Sequence, residues 1–138
     1  MFFTDSFSKS IDMLNKTMDV SLLRRNVMAN NIANSDTPNF KRTDVNFEAE
    51  LKRALDSENT SPFPAKLTRE KHISFDRPKN WREVQPRRVL DYLTTAKNNG
   101  NNVDAEAEMM GIMSNQLMYQ MMTSVVQHGF NRVNLVLR

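Results

Sequence analysis

The 138-residue chain contains no cysteine, which removes disulfides, thiolate metal sites and cysteine nucleophiles together. Glycine is nearly absent, with three residues, and five prolines add few turn markers. A chain of many short strands needs more, so long helices are expected. Ten Met and only one Trp suggest adaptable apolar contacts in place of a tightly specified aromatic core. No run reaches the roughly 20 apolar residues of a membrane-spanning helix. The start, Met1-Phe2-Phe3, lacks a basic stretch and apolar h-region, so no cleaved secretory signal is expected. The two histidines, His72 and His128, lie far apart in sequence and without metal-ligand company. A Gly-rich phosphate loop, a nucleophile elbow and zinc spacing are all missing. The carboxylates Glu48, Glu50, Asp104, Glu106 and Glu108 fall at expected helix starts or in solvent. These absences predict a chain that is not an enzyme and carries neither cofactor nor metal.

What is present is amphipathic. A first helix is expected from near Thr4 or Asp5, either a competent N-cap, to about Asn34. Ile11, Leu14, Met18, Leu22, Ala29 and Ile32 recur at three- and four-residue steps, with Arg25 interrupting the stripe, while Met13, Val20 and Val27 repeat every seven residues on another side. One stripe suffices to dock a helix; two imply more than one neighbour. A short amphipathic helix is expected over 46–56, with Phe47, Leu51 and Leu55 on one face. From 57 to 100 the periodicity dissolves among Pro62, Pro64, Pro78 and Pro86, with short extended pieces expected at 66–68 and 72–75. The run Asn98-Asn99-Gly100-Asn101-Asn102 reads as a breaker.

The last helix is expected from about Val103 to near the C-terminus, with Asp104, Glu106 and Glu108 complementing its dipole. It carries two stripes. Met110, Met113, Leu117, Met121 and Val125 form the first; Ile112, Tyr119, Met122, Val126, Phe130, Val133 and Leu137 form the second. One antiparallel partner in so small a chain covers only one of them, and the other needs another subunit. The heptad-like steps of the first stripe assign Leu117 to the intramolecular seam; the opposite assignment serves the same architecture. The expected fold is thus mainly α, with two long terminal helices packed as an antiparallel coiled coil, a short helix, and an irregular, partly extended or disordered middle. The chain divides as 1–56, 57–100 and 101–138.

Charge is uneven. Between Lys66 and Arg88 eight Lys and Arg face three acids, while the remainder is slightly acidic. A solvated linker is the plain reading, and an acidic partner or nucleic acid the other. Arg69, Lys71, Phe75, Lys79 and Trp81 interleave charge and aromatics as single-strand binding requires. The helices, however, carry apolar stripes where a recognition helix would carry Arg, Asn and Gln. A wall-cleaving enzyme is a third possibility, and no acid–base pair supports it.

The most specific run is Ala29-Asn30-Asn31-Ile32-Ala33-Asn34-Ser35-Asp36-Thr37-Pro38-Asn39-Phe40, followed by Lys41-Arg42. Asn and Asp tolerate left-handed backbone and end a helix without glycine, and Pro38 forbids its continuation. In this order the run resembles the N-terminal signature of bacterial flagellar basal-body rod proteins, with Asn39-Phe40 where Gly-Tyr is common and Ser35 where Ala is common. Gly100-Asn101-Asn102-Val103-Asp104 and the Met-rich helix resemble the C-terminal segment of axial proteins. Asn115-Gln116-Leu117-Met118-Tyr119-Gln120 and Thr43-Asp44-Val45-Asn46-Phe47 are similar to the B-type proximal rod proteins. The resemblance implies a structural subunit that polymerises helically and transmits torque from the membrane ring toward the hook. It implies the other proximal rod proteins, the rod-to-ring adaptor and the export gate as partners, and a basal-body location spanning the periplasm. The signature residues are Ala29, Asn30, Asn31, Ile32, Ala33, Asn34, Asp36, Thr37, Pro38 and Phe40. Leu14, Met18 and Leu22, with Met110, Leu117, Met121, Val125, Tyr119, Met122, Val126, Phe130 and Val133, are the expected packing and interface positions.

Overall fold

Helix α1 runs over Thr4–Ala33 and, at the other end of the chain, α3 over Ala105–Val136. The computed structural model describes residues 4–59, 66, 68, 69, 71, 72, 80–94 and 97–137. Between the long helices lie strand β1 (Thr43–Asn46), helix α2 (Glu48–Asn59), a 3-10 turn (Trp81–Glu83) and strand β2 (Arg87–Leu90). The protein is mainly helical, as the glycine-poor composition requires.

The chain forms two compact units, Met1–Val45 with Val89–Arg138, and Asn46–Arg88. In the first, α1 and α3 lie antiparallel. Near the start of α1 the Phe7 ring meets Phe130 edge-on at 6.3 Å. Ser21 bonds Asn115 in the middle, and Asn31 bonds Glu108 at the far end. Two positions without side-chain bulk lie along this seam: a Cβ at Gly111 would meet the Met28 sulfur at 2.9 Å, and one at Gly129 the Phe7 ring at 3.2 Å. On α1 the buried positions are Val20, Ser21, Val27, Met28 and Asn31. Leu14 and Met18 are half-buried; Leu22 and Ala29 are exposed.

On α3 the assignment of stripes is the reverse of the expectation. Met110, Met113, Leu117, Met121 and Val125 are all exposed, Leu117 at 62%. Met122 is buried, and Tyr119 and Val126 are half-buried, although Phe130, Val133 and Leu137 at the far end of that stripe are exposed. The physical reason lies in the inner face. It runs through Glu108, Gly111 and Asn115 before reaching Met122, so no apolar heptad marks it. The visible heptad belongs to the outside.

Helix α3 begins at Ala105, two residues beyond the expected Val103, because Asp104 is its N-cap: Oδ1 accepts from the Glu106 and Ala107 N–H groups at 3.0 and 3.2 Å. Strands β1 and β2 pair in a two-stranded sheet, and the Asp91 N–H donates to the Arg42 carbonyl at 2.9 Å beside it. Neither strand was expected. Thr43-Asp44-Val45-Asn46 and Arg87-Arg88-Val89-Leu90 are short and not apolar-alternating, and their pairing is non-local. Of the extended pieces expected at 66–68 and 72–75, residues 66, 68 and 72 are not in strands; 67 and 73–75 lie outside the described residues.

The second unit packs α2 on the Trp81–Glu83 turn. Phe47, Ala54 and Trp81 are buried, and Leu51 and Leu55 are half-buried beside them. The Phe47 carbonyl accepts the Leu51 N–H at 2.9 Å, so the expected apolar face is kept while the helix begins two residues later. Asn80 caps the 3-10 turn, accepting from the Arg82 N–H at 3.0 Å, and the Arg82 guanidinium stacks 5.1 Å from the Trp81 ring centre.

Candidate assembly site

The signature run ends α1 and turns the chain back. The Asn34 N–H is shared between the Asn30 and Asn31 carbonyls, both at 3.2 Å. Its Nδ2 donates to the Asn30 carbonyl at 2.8 Å, satisfying a C-terminal acceptor that the helix leaves open. Asn39 then takes φ 59°. That left-handed backbone is where glycine is at home and Asn is tolerated. Its neighbour Gly100 is also left-handed, at φ 79°, and a Cβ there would meet the Asn39 carboxamide oxygen at 2.6 Å. Asn39→Gly is expected to change stability by less than about 1 kcal/mol, whereas Asn39→Val should destabilise by roughly 1–2 kcal/mol. Thermal melts of the two variants check this.

Asn101 ties the run to the start of α3. It is fully buried. Its Nδ2 faces the carbonyls of Asn34, Ser35 and Thr37 at 2.9, 3.0 and 2.9 Å, and its Oδ1 accepts the Val103 N–H at 2.7 Å. Asn102 does the same on the other side, accepting from the Arg42 N–H at 2.6 Å and donating to the Asp91 carbonyl at 2.9 Å. Lys97 and Lys41 add donors at the rim, to the Ser35 carbonyl at 2.8 Å and the Gly100 carbonyl at 2.9 Å. The Asp91 carboxyl is held below its usual range, first by the Thr94 hydroxyl.

Asn31 and Glu108 complete the junction. The Asn31 carboxamide exchanges two bonds with the Thr43 backbone, at 2.8 and 3.1 Å, and donates to Glu108 Oε2 at 3.2 Å. Arg42 Nε donates to Glu108 Oε1 at 2.5 Å. Burial lowers the Arg42 pKa, but the Glu108 bond and charge outweigh it and the net shift is upward. Glu108 stands in the first turn of α3, as expected, but it is 3% exposed and paired, which the sequence did not imply. No described buried side-chain polar atom is left without a partner.

Of the signature residues, Asn31 is buried, Ile32, Asn34 and Phe40 are half-buried, and Ala29, Asn30, Ala33, Asp36, Thr37 and Pro38 are exposed. The junction joins Asn31 and Asn34 directly to the 97–108 segment and leaves the exposed members on its surface. The sequence named Arg42, Asn101, Asn102 and Asn115 within motifs but gave them no packing role, and it did not single out Ser21; the partners that reveal those roles include ones 60 to 94 residues away.

An antiparallel helix pair, locked by an Asn-rich junction at one end and bare along its most apolar stripe, is the build of a subunit in a larger axial structure. Residues 22–41 match the family described as flagella basal body rod protein. The flagellar basal body rod protein FlgB of Borreliella burgdorferi is 41% identical over 97% of this chain and 99% of its own length. FlgB of Bacillus subtilis is 34% identical over 95% of each chain, and FlgB of Escherichia coli 28% identical over 88% of each. The chain belongs to the FlgB family of flagellar basal body rod proteins, and it is a structural subunit of the basal-body rod. No helix among the described residues is long and apolar enough to cross a membrane.

Proposed function

We propose that the chain builds the proximal part of the rod, polymerising helically with itself and the other proximal rod proteins to carry torque from the membrane ring toward the hook. The observation that supports this most directly is the exposed stripe Met110, Met113, Leu117, Met121 and Val125. Each such side chain gains roughly 1.5–3 kcal/mol when fully buried, so a neighbouring helix seated along the stripe supplies a strong, extended grip. Head-to-tail contacts of this kind, if the rotation does not close, generate a filament. A subunit held along a whole helix resists slippage under torsion better than one held at a point.

The assembled rod crosses the periplasm, and its subunits reach it through the flagellar export gate and join the adaptor at the ring. Catalysis has no part in this role. The terminal segments 1–56 and 101–138 form the axial part, with 57–100 between them. Deleting the chain from its own cells tests the reading. Basal bodies should then retain the membrane ring and lack the rod and hook, and the parent chain supplied in trans should restore both. An intact rod and hook without the chain would overturn the proposal.

A further inference from the structure

Apolar area alone gives α1 the wrong address on α3. The stripe Met110, Met113, Leu117, Met121 and Val125 is apolar throughout and exposed, yet α1 lies on the face that carries Glu108 and Asn115. Both polar residues are nearly buried, at 3% and 8% exposure. We propose that the buried polar pairs Ser21–Asn115 and Arg42/Asn31–Glu108 are a face-selection device: they fix which side of α3 the α1 segment covers and so keep the Met stripe turned outward.

The hydrogen bonds carry the argument. The Ser21 hydroxyl donates to Asn115 Oδ1 at 2.8 Å, and Asn115 Nδ2 donates back to the Ser21 carbonyl at 2.9 Å, a closed reciprocal pair. At the loop end Glu108 accepts from Asn31 at 3.2 Å and from Arg42. Against the Met stripe these partners vanish. Ser21 would be left with its own helix turn, and the Asn31 amide would keep only the Thr43 carbonyl and otherwise face thioethers, which are weak acceptors. The α1 side therefore rejects the more apolar face, and Asn115 with Glu108 rewards the less apolar one. Two pairs set far apart along the seam also fix its axial register, as single buried polar residues do in coiled coils. The loss falls on the competing arrangement, which is how specificity against a stickier alternative is built.

The inference rests on the proposed rod role only for what the outward stripe is used for; the choice of face is a property of the isolated chain. Methionine oxidation reads it, because Met121 points outward and Met122 into the seam, at 71% and 8% exposure. In the parent, a short peroxide or hydroxyl-radical pulse followed by peptide mass spectrometry should oxidise Met121 about ninefold faster than Met122, in proportion to those exposures. The variant Ser21→Val/Asn31→Leu/Arg42→Met leaves α3 untouched and removes the side chains that partner Asn115 and Glu108. It should keep its helix content by circular dichroism while the contrast falls to within a factor of about two. The variant Ser21→Asn/Asn115→Ser rebuilds the pair with its partners exchanged and should keep the parent's contrast.

Undiminished contrast in Ser21→Val/Asn31→Leu/Arg42→Met overturns the inference, since the face would then be chosen without the polar side-chain pairs. Loss of contrast together with loss of helix content overturns it as well, because the pairs would then serve folding and not choice. So does an exchanged pair that behaves like the broken one. None of these readouts involves a rod, so failure of the rod role would show separately, in the deletion strain.

Discussion

Met122→Asp is expected to unfold the helix pair, and Leu117→Asp to leave it folded while stopping assembly. The two residues are five apart on α3, but Met122 is 8% exposed and Leu117 62% exposed. A carboxylate at Met122 enters the seam with α1. A buried unpaired charge costs roughly 3–5 kcal/mol or forces the site open. For a unit of this size that lowers the melting midpoint by on the order of 10 °C or more. At Leu117 the new charge is hydrated in the free chain, so its stability should stay within about 0.5 kcal/mol of the parent. In the rod the same charge is desolvated against a neighbour. Circular dichroism melts of the purified variants and electron microscopy of basal bodies from cells carrying them separate the two effects. Equal melting losses in both variants would contradict the assignment of faces.

Asn101→Ala should be the most damaging change outside the helices. The substitution removes a donor facing three carbonyls and the acceptor of the buried Val103 N–H. Because the site is fully buried, solvent does not simply replace the lost partners. Leaving such groups unmet costs about 1–3 kcal/mol each in the worst case, and roughly 2–4 kcal/mol for the set after relaxation. The end of α1 and the start of α3 should loosen together. Hydrogen exchange read along both segments checks this: faster exchange confined to residues 97–104, with 31–37 unchanged, would show that Asn101 does not join them.

The long helices were legible because their evidence is local. Thirty residues without Gly or Pro, stepped by three and four, specify α1, and the signature run announces its end. Face and partner were not legible for α3. The eye follows apolar periodicity, and here the inner face is broken by Glu108, Gly111 and Asn115 while the outer is continuous. A polar residue at a seam position looks like solvent exposure until its partner is known. That partner lies 77 residues away for Asn31 and Glu108 and 94 for Ser21 and Asn115. The same holds for Asn101 and Asn102, which sequence marks as a helix breaker and the fold uses as a clasp. The B-type resemblance survived these misplacements because it rests on residue order, not on which face each residue presents.

A density map of the assembled basal body at side-chain resolution bears most directly on the central claim. The account predicts that Met110, Met113, Leu117, Met121 and Val125 are covered by a helix of a neighbouring rod subunit, with α1 still seated on Asn115 and Glu108 of its own α3. A map in which that stripe faces open solvent, or in which α1 of the same subunit covers it, would contradict the account.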